Sequence, residues 1–150
     1  MDDAQWMREA LAEARHAASL REVPVGAVVV RAGEIIGRGH NRREVDGDPL
    51  AHAEMLAIRQ AARVVGDWRL TGCCLYVTLE PCPMCAGALV NSRVERLVFG
   101  TRDPKAGYCG SLGNLVADAR LNHRLEVVEG VLSEECAEVL RRFFGELRRG

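Results

Sequence analysis

The sequence has almost no lysine. Lys105 is the only one, and the other basic side chains are arginine. Aromatic residues make up 5% of the chain, and charge is nearly balanced, with 20 Lys+Arg against 21 Asp+Glu. A net charge of −1 excludes a polyanion binder that uses its whole surface. There is no run of about 18 apolar residues, so no helical membrane span is expected. The opening stretch, MDDAQWMREA, lacks the basic region and apolar run of a secretory leader. A soluble cytoplasmic protein is expected.

In a reducing compartment the six cysteines are expected to be free thiols. Cys73 and Cys74 stand in an apolar run, and Cys136 stands on the apolar side of a helical pattern. All three are expected as small core residues. The chain has 150 residues and is 48% hydrophobic, enough for a single domain over residues 1–150. Charge is uneven along it. Residues 86–124 carry six bases (Arg93, Arg96, Arg102, Lys105, Arg120 and Arg124) against three acids, so a modest basic surface is expected there.

Periodicity suggests ten elements. Asp2 or Asp3 can cap a first helix with Trp6, Met7, Ala10, Leu11, Ala14 and Ala17 on one face. VGAVVV (25–30) and EIIGRGHN (34–41) form a hairpin around Gly33. Residues 51–66 are helical and stop at Gly66. Residues 73–79 form a strand, 83–92 a short helix with Pro83 near its start, and 95–100 a strand. A glycine-rich loop leads to a short helical segment near 112–119 and a strand at 125–130. Ser133 can cap a last helix with Cys136, Val139, Leu140, Phe143, Phe144 and Leu147 on its apolar face. Strands alternating with helices predict an α/β fold with helices on both faces of the sheet. Only the first link is a tight hairpin, so most of the sheet is expected to be parallel.

The stretch EPCPMC (80–85) holds two cysteines three apart, which is half of a metal site. Cys82 and Cys85 open one helix, and His52 opens another. Three such ligands would leave the fourth zinc position for water, as in catalytic sites. His52 and Glu54 lie about 200° apart around a helix, so they converge only if the metal sits off the first turn. Two helix amino-termini would then face one ion and favour thiolate there. Glu54, close by and not a ligand, can move protons. A closed structural zinc site would need a fourth protein ligand, for which Cys73, Cys74, Cys109, His40 and His123 are candidates. A redox pair would not explain the His-x-Glu.

His52-Ala53-Glu54 and Pro81-Cys82-Pro83-Met84-Cys85 together resemble the H-x-E…P-C-x-x-C signature of zinc nucleobase deaminases. The flanks narrow the resemblance. REVPVGAVVV (21–30), Asn41, DPLAHAEMLAIRQA (48–61), LYVTLEPCPMCAGALVNSRVERLVFG (75–100), RDPKAGYCGS (102–111), LNHRLEVVEGVL (121–132) and Phe143-Phe144 are similar to the bacterial tRNA-specific adenosine deaminases, over nearly the whole chain. Two departures stand out. Gly145 follows the phenylalanine pair where some relatives carry a basic residue and a longer basic tail, and Cys109 occupies a loop position where small residues are usual.

The resemblance implies a cytidine deaminase-like fold, a three-layer α/β/α sandwich with a mixed five-stranded sheet. It implies one Zn²⁺ per chain on His52, Cys82 and Cys85, and deamination of the wobble adenosine of a tRNA anticodon, most simply that of an arginine tRNA reading ACG. Water activated at the metal would attack C6, with Glu54 as proton shuttle. It assigns substrate contacts to Asn41, Val25, Asp103, Lys105, Asn122 and Phe144, with His123 beside them, and a homodimer as the assembly. Two other readings follow from the residues: deamination of a free base or nucleotide, such as guanine or cytosine, and a non-catalytic zinc-stabilised RNA-binding module.

Overall fold

The computed structural model describes residues 1–149. Its elements are α1 (Asp3–Ser19), β1 (Gly26–Arg31), β2 (Glu34–His40), α2 (Ala53–Val65), β3 (Cys73–Leu79), α3 (Pro83–Asn91), β4 (Arg96–Thr101), β5 (Glu126–Glu129) and α4 (Ser133–Arg149). The five strands form one sheet in the order β2-β1-β3-β4-β5.

Strand alternation divides the core into two layers. Ala27 and Val29 of β1, Leu75 and Val77 of β3, and Leu97 and Phe99 of β4 pack with α2 and α3 on one face. Val28 and Val30, Tyr76 and Val98 pack with α1 and α4 on the other. Near-continuous apolar strands are the expected result of burial on both faces. The three-layer α/β/α sandwich with a mixed sheet is therefore as expected.

The balance of strand directions is not. β1 runs antiparallel to both β2 and β3, and only β3–β4 and β4–β5 are parallel. The crossover through α2 does make β2 and β3 parallel to each other. However, β1 is inserted between them, so the expected parallel β2–β3 pairing is replaced by the antiparallel β1–β3 pairing, beside the expected antiparallel hairpin.

The helical segment expected near 112–119 is also absent. The chain from 102 to 125 joins β4 to β5 through turns, bends and a bridge between Cys109 and Asn114. Its backbone donors are drawn off elsewhere. The N–H groups of Leu112 and Leu115 bond Gly107 O at 2.9 Å and Tyr108 O at 3.1 Å, outside any helical i→i−4 pattern, and just upstream the N–H groups of Asp103, Cys109 and Ser111 bond the buried carboxylate of Glu80.

Helix ends follow the local chemistry. Asp2 is the α1 cap. Its Oδ1 accepts from the Gln5 N–H at 2.9 Å, and Gln5 Oε1 accepts from the Asp2 N–H at 2.7 Å, completing a capping box. Asp3 instead accepts two hydrogen bonds from Arg96 and one from the Tyr76 hydroxyl. Gly66 ends α2 in the left-handed conformation with φ 78°. Of the apolar face expected for α4 only Cys136 is buried, while Leu147 is 64% exposed.

The contact that positions the site is α2 on β2. Ala53, Ala57 and Ala61 are the buried α2 positions touching the sheet. Opposite them stand Gly37 and Gly39, where a Cβ would run into the carbonyl oxygens of Ala57 and Ala53 respectively. Helix and strand thus meet backbone to backbone. Gly39→Ala is expected to push the amino-terminal turn of α2 off the sheet, at about 1–3 kcal/mol. A denaturant titration would measure this, and an unchanged midpoint would show that the close approach is not required.

Candidate active site

The site lies at the carboxyl end of β3, where the amino-termini of α2 and α3 converge. His52 is the residue capping α2, with extended φ −79° and ψ 150°, and its side chain makes no capping bond. Cys82 holds the same place on α3 with φ −74° and ψ 175°, followed by Pro83. Cys85 is in the first turn of α3 and is buried. Because His52 stands outside the helix, its ring is free of the 200° divergence from Glu54, and both side chains face the same space.

Nδ1 of His52 is 3.6 Å from the Sγ of Cys82 and 3.6 Å from the Sγ of Cys85. A tetrahedral zinc with bonds of about 2.3 Å to sulfur and about 2.0–2.1 Å to nitrogen needs an S···N separation of about 3.6 Å. The three donors therefore fit such an ion, and the set leaves one position open. Among the described residues no fourth cysteine or histidine joins this group, which counts against a closed structural site.

The electrostatics suit a cation. The Cys82 thiol is pulled down to about 4, first by its hydrogen bond with Cys85 and then by His52, against the cost of burial. Cys85 is pushed the other way by the Cys82 thiolate and by burial. His52 is raised, chiefly by its contact with Cys82. A divalent ion would displace the protons that these three groups share. Glu54 is 4% exposed, and burial pushes its carboxyl up to about 7, with its own backbone N–H and the His52 ring pulling back.

A cavity of about 160 Å³ opens on this cluster, lined by Val23, Val25, Asn41, Arg43, His52, Ala53, Glu54, Leu79, Glu80, Cys82, Asp103 and Ala106. It is smaller than the roughly 300–1,000 Å³ of drug-sized sites, and suits one flat ring system. Asn41 is buried in its wall. Its Nδ2 donates to the Val23 carbonyl at 3.2 Å and its Oδ1 accepts from the Arg43 N–H at 3.1 Å. One N–H and one lone pair of the amide are left for a ligand. Val25 is a half-buried apolar wall. The Oδ1 of Asp103 accepts from the N–H groups of Lys105 and Ala106 at 3.0 and 3.2 Å.

Lys105, Asn122 and Phe144 do not line the cavity. Lys105 and Asn122 are exposed. Phe144 lies on α4, 40% exposed, edge-on to Phe143 at 5.3 Å between centroids. His123 donates from Nε2 to the Val94 carbonyl at 2.7 Å, a bond that ties its loop to the sheet.

Arg43, Val23 and Glu80 line the cavity without having been singled out in the sequence. For Glu80 a signal was present, a carboxylate between a largely apolar strand and the CxxC motif. For Arg43 and Val23 there was none.

The fold and the His/Glu/Cys/Cys arrangement define a deaminase of the cytidine deaminase-like class. Residues 1–148 match the MafB19-like deaminase family. The tRNA-specific adenosine deaminase of Bacillus subtilis is 57% identical over 98% of this chain and 91% of its own. That of Haemophilus influenzae is 50% identical over 97% of this chain and 85% of its own. A solved structure from studies of A-to-I editing by tRNA:A34 deaminases superposes with a TM-score of 0.87 at 43% identity, covering 91% of this chain and 99% of that one. The guanine deaminase of Nitrosomonas europaea shares the fold with a TM-score of 0.83 at 25% identity, covering 95% and 84%. This chain belongs to the family of tRNA-specific adenosine deaminases.

In chelator-treated protein the lowered Cys82 pKa predicts a thiolate at any pH well above about 4, lost only on acidification through that value. Alkylation with iodoacetamide at about pH 6, read by peptide mapping, should label Cys82 first. Buried Cys109 and Cys136, both pushed upward by burial, should stay unlabelled. Faster labelling of either would contradict the assignment.

Proposed function

We propose that this protein hydrolyses the wobble adenosine of a tRNA anticodon to inosine, with His52, Cys82 and Cys85 holding one Zn²⁺ per chain. The observation that carries the reading is the pairing of an open three-ligand site with a buried, non-ligating carboxylate in a base-sized cavity. The 57% and 50% identities to tRNA-specific adenosine deaminases, against 25% and 36% to two guanine deaminases, favour RNA over a free base.

A zinc held by His52, Cys82 and Cys85 would lower the pKa of a water at its open position towards about 7. Glu54 takes a proton from the attacking water and delivers it to N1 of the adenine, and the hydroxide adds to C6. The carboxylate then takes the proton of the new C6 hydroxyl and hands it to the departing amine, which leaves as ammonia. The balance is adenosine plus water to inosine plus ammonia. A carboxyl raised to about 7 by burial can accept and release a proton near neutral pH.

Anticodon loops are single-stranded, so the target base can leave the stack and enter a narrow cavity. The free N–H and lone pair of Asn41 bond the base edge or ribose, Val25 packs on the ring, and Asp103 faces the entrance. Lys105, Asn122 and Phe144 meet neighbouring nucleotides outside the cavity. A homodimer and a cytoplasmic location are part of the same proposal, drawn from the resemblance. Among the described residues, no helix is long and apolar enough to cross a membrane.

The deciding experiment incubates the protein with an arginine tRNA transcript bearing an ACG anticodon, with guanine and cytosine as parallel substrates. Inosine confined to the wobble position is expected; consumption of a free base without inosine would sink the RNA reading. Glu54→Ala should retain zinc and lose at least the roughly 10²–10⁴-fold typical of general acid–base catalysis. His52→Ala should lose the metal itself, as measured by elemental analysis, and full zinc occupancy in that variant would remove His52 from the ligand set.

A further inference from the structure

Glu80 is a buried carboxylate, 2% exposed, and among the described residues it has no cationic partner. Its four acceptor positions are filled by one segment of chain. Oε1 accepts from the Asp103 N–H at 3.0 Å and from the Ser111 hydroxyl. Oε2 accepts from the Cys109 N–H at 3.0 Å and the Ser111 N–H at 2.9 Å. The backbone on either side of it is tied to the same region: the Glu80 N–H donates to Thr101 O at 2.9 Å, and Pro81 O accepts from the Tyr108 N–H at 2.8 Å. The loop closes so tightly that a Cβ on Gly107 would run into the Glu80 carboxyl carbon.

This loop carries two walls of the cavity, Asp103 and Ala106. Glu80 itself stands two residues before the ligand Cys82. One side chain therefore joins the strand end that presents the metal ligands to the segment that faces the substrate. The loop has no helix of its own; beside the Tyr108–Pro81 bond and the burial of Cys109, this carboxylate gathers four of its bonds, so its register against the ligands depends chiefly on Glu80.

We propose that Glu80 is a positioning residue for the reaction: it holds the 103–111 loop against the metal-ligand turn so that the loop's inner wall receives the substrate base. The proposal rests on the deaminase reading above. The metal ligands are placed by α2 and α3 without help from Glu80, so its loss acts on substrate binding before it acts on chemistry. Glu80→Gln is isosteric but cannot replace the carboxylate. Each oxygen accepts from at least one backbone N–H, so either orientation of the amide sets its NH₂ against a backbone donor.

The test measures steady-state kinetics of Glu80→Gln on an anticodon stem-loop RNA with an ACG anticodon, together with zinc content, melting temperature and amide hydrogen exchange. The expected result is wild-type zinc, a KM raised about ten-fold, a kcat within about three-fold of wild type, and faster exchange at the Cys109 and Ser111 amides. A role confined to stability would lower the melting temperature while leaving KM unmoved in the folded enzyme, and would overturn the proposal. Loss of zinc with a matching fall in kcat would overturn it as well, by placing Glu80 with the ligands. Ser111→Ala removes one bond to the same carboxylate and should shift KM in the same direction by less; it carries the test if Glu80→Gln does not fold. If the wild-type protein forms no inosine, the substrate reading has failed, and amide exchange alone then decides whether Glu80 holds the loop.

Discussion

The site depends on the backbone-to-backbone approach of α2 to β2. Glycine on the strand and alanine on the helix leave nothing larger than a methyl group at their contact. The amino-terminus of α2 is thereby held at one height against the sheet. His52 then falls at the non-helical capping position, where its ring is not carried round by the helical twist. Had the helix begun one residue earlier, His52 and Glu54 would diverge and the ligand set would be broken. The same arrangement recurs on α3, where Pro83 starts the helix and leaves Cys82 outside it and Cys85 in its first turn. Two helix starts, each with its unsatisfied N–H groups and partial positive charge, face one space. The Cys82 thiolate is stable there before any metal arrives, while Cys85 keeps its proton.

The opposite face of the sheet has a different task. α1 and α4 complete the second core layer, and Asp3 of α1 forms a two-bond pair with Arg96 at the start of β4, at 2.8 Å for each bond. Tyr76 donates into the same carboxylate. This network ties the first helix to the two central parallel strands, from whose carboxyl ends the metal motif and the substrate loop emerge. No catalytic group belongs to this layer. Its contribution is a rigid frame for loops that would otherwise drift relative to one another.

The sequence was legible where one interaction dominated. Every α1 position expected to be buried is buried, because a six-residue apolar stripe on a charged helix admits one orientation. The convergence of His52, Cys82 and Cys85 could be read because residues able to donate to a metal are few and their spacing is chemically constrained. The sheet's directions were not legible, since nothing local in β1 says which neighbour will lie on its far side. Insertion of a strand between two others is decided by long-range packing. The 112–119 segment misled for a related reason. Its composition allows a helix, but its neighbours' N–H groups are claimed by a glutamate some thirty positions earlier, and no local window contains both. Phe143 and Phe144 share an apolar stripe that α1 covers only in part, so the stripe predicted the helix correctly and its burial incorrectly.

Glu54 and Glu80 show how burial alone fails to set a carboxylate's role. Both are almost inaccessible, and each lies two residues from a metal ligand in sequence. Burial would raise the pKa of either. At Glu80 the bonds from Ser111, Asp103 and Cys109 outweigh burial and bring the carboxyl below its ordinary value, so it stays an anion and serves as a fixed template. At Glu54 the compensating bonds are its own backbone N–H and the Cys85 thiol, too few to cancel desolvation, and the carboxyl stands at about 7. A group that holds a loop must not change charge, whereas a group that shuttles a proton must do so easily. The difference between them is the number of donors supplied by the surrounding chain: four at Glu80 and fewer at Glu54, which borders an open cavity.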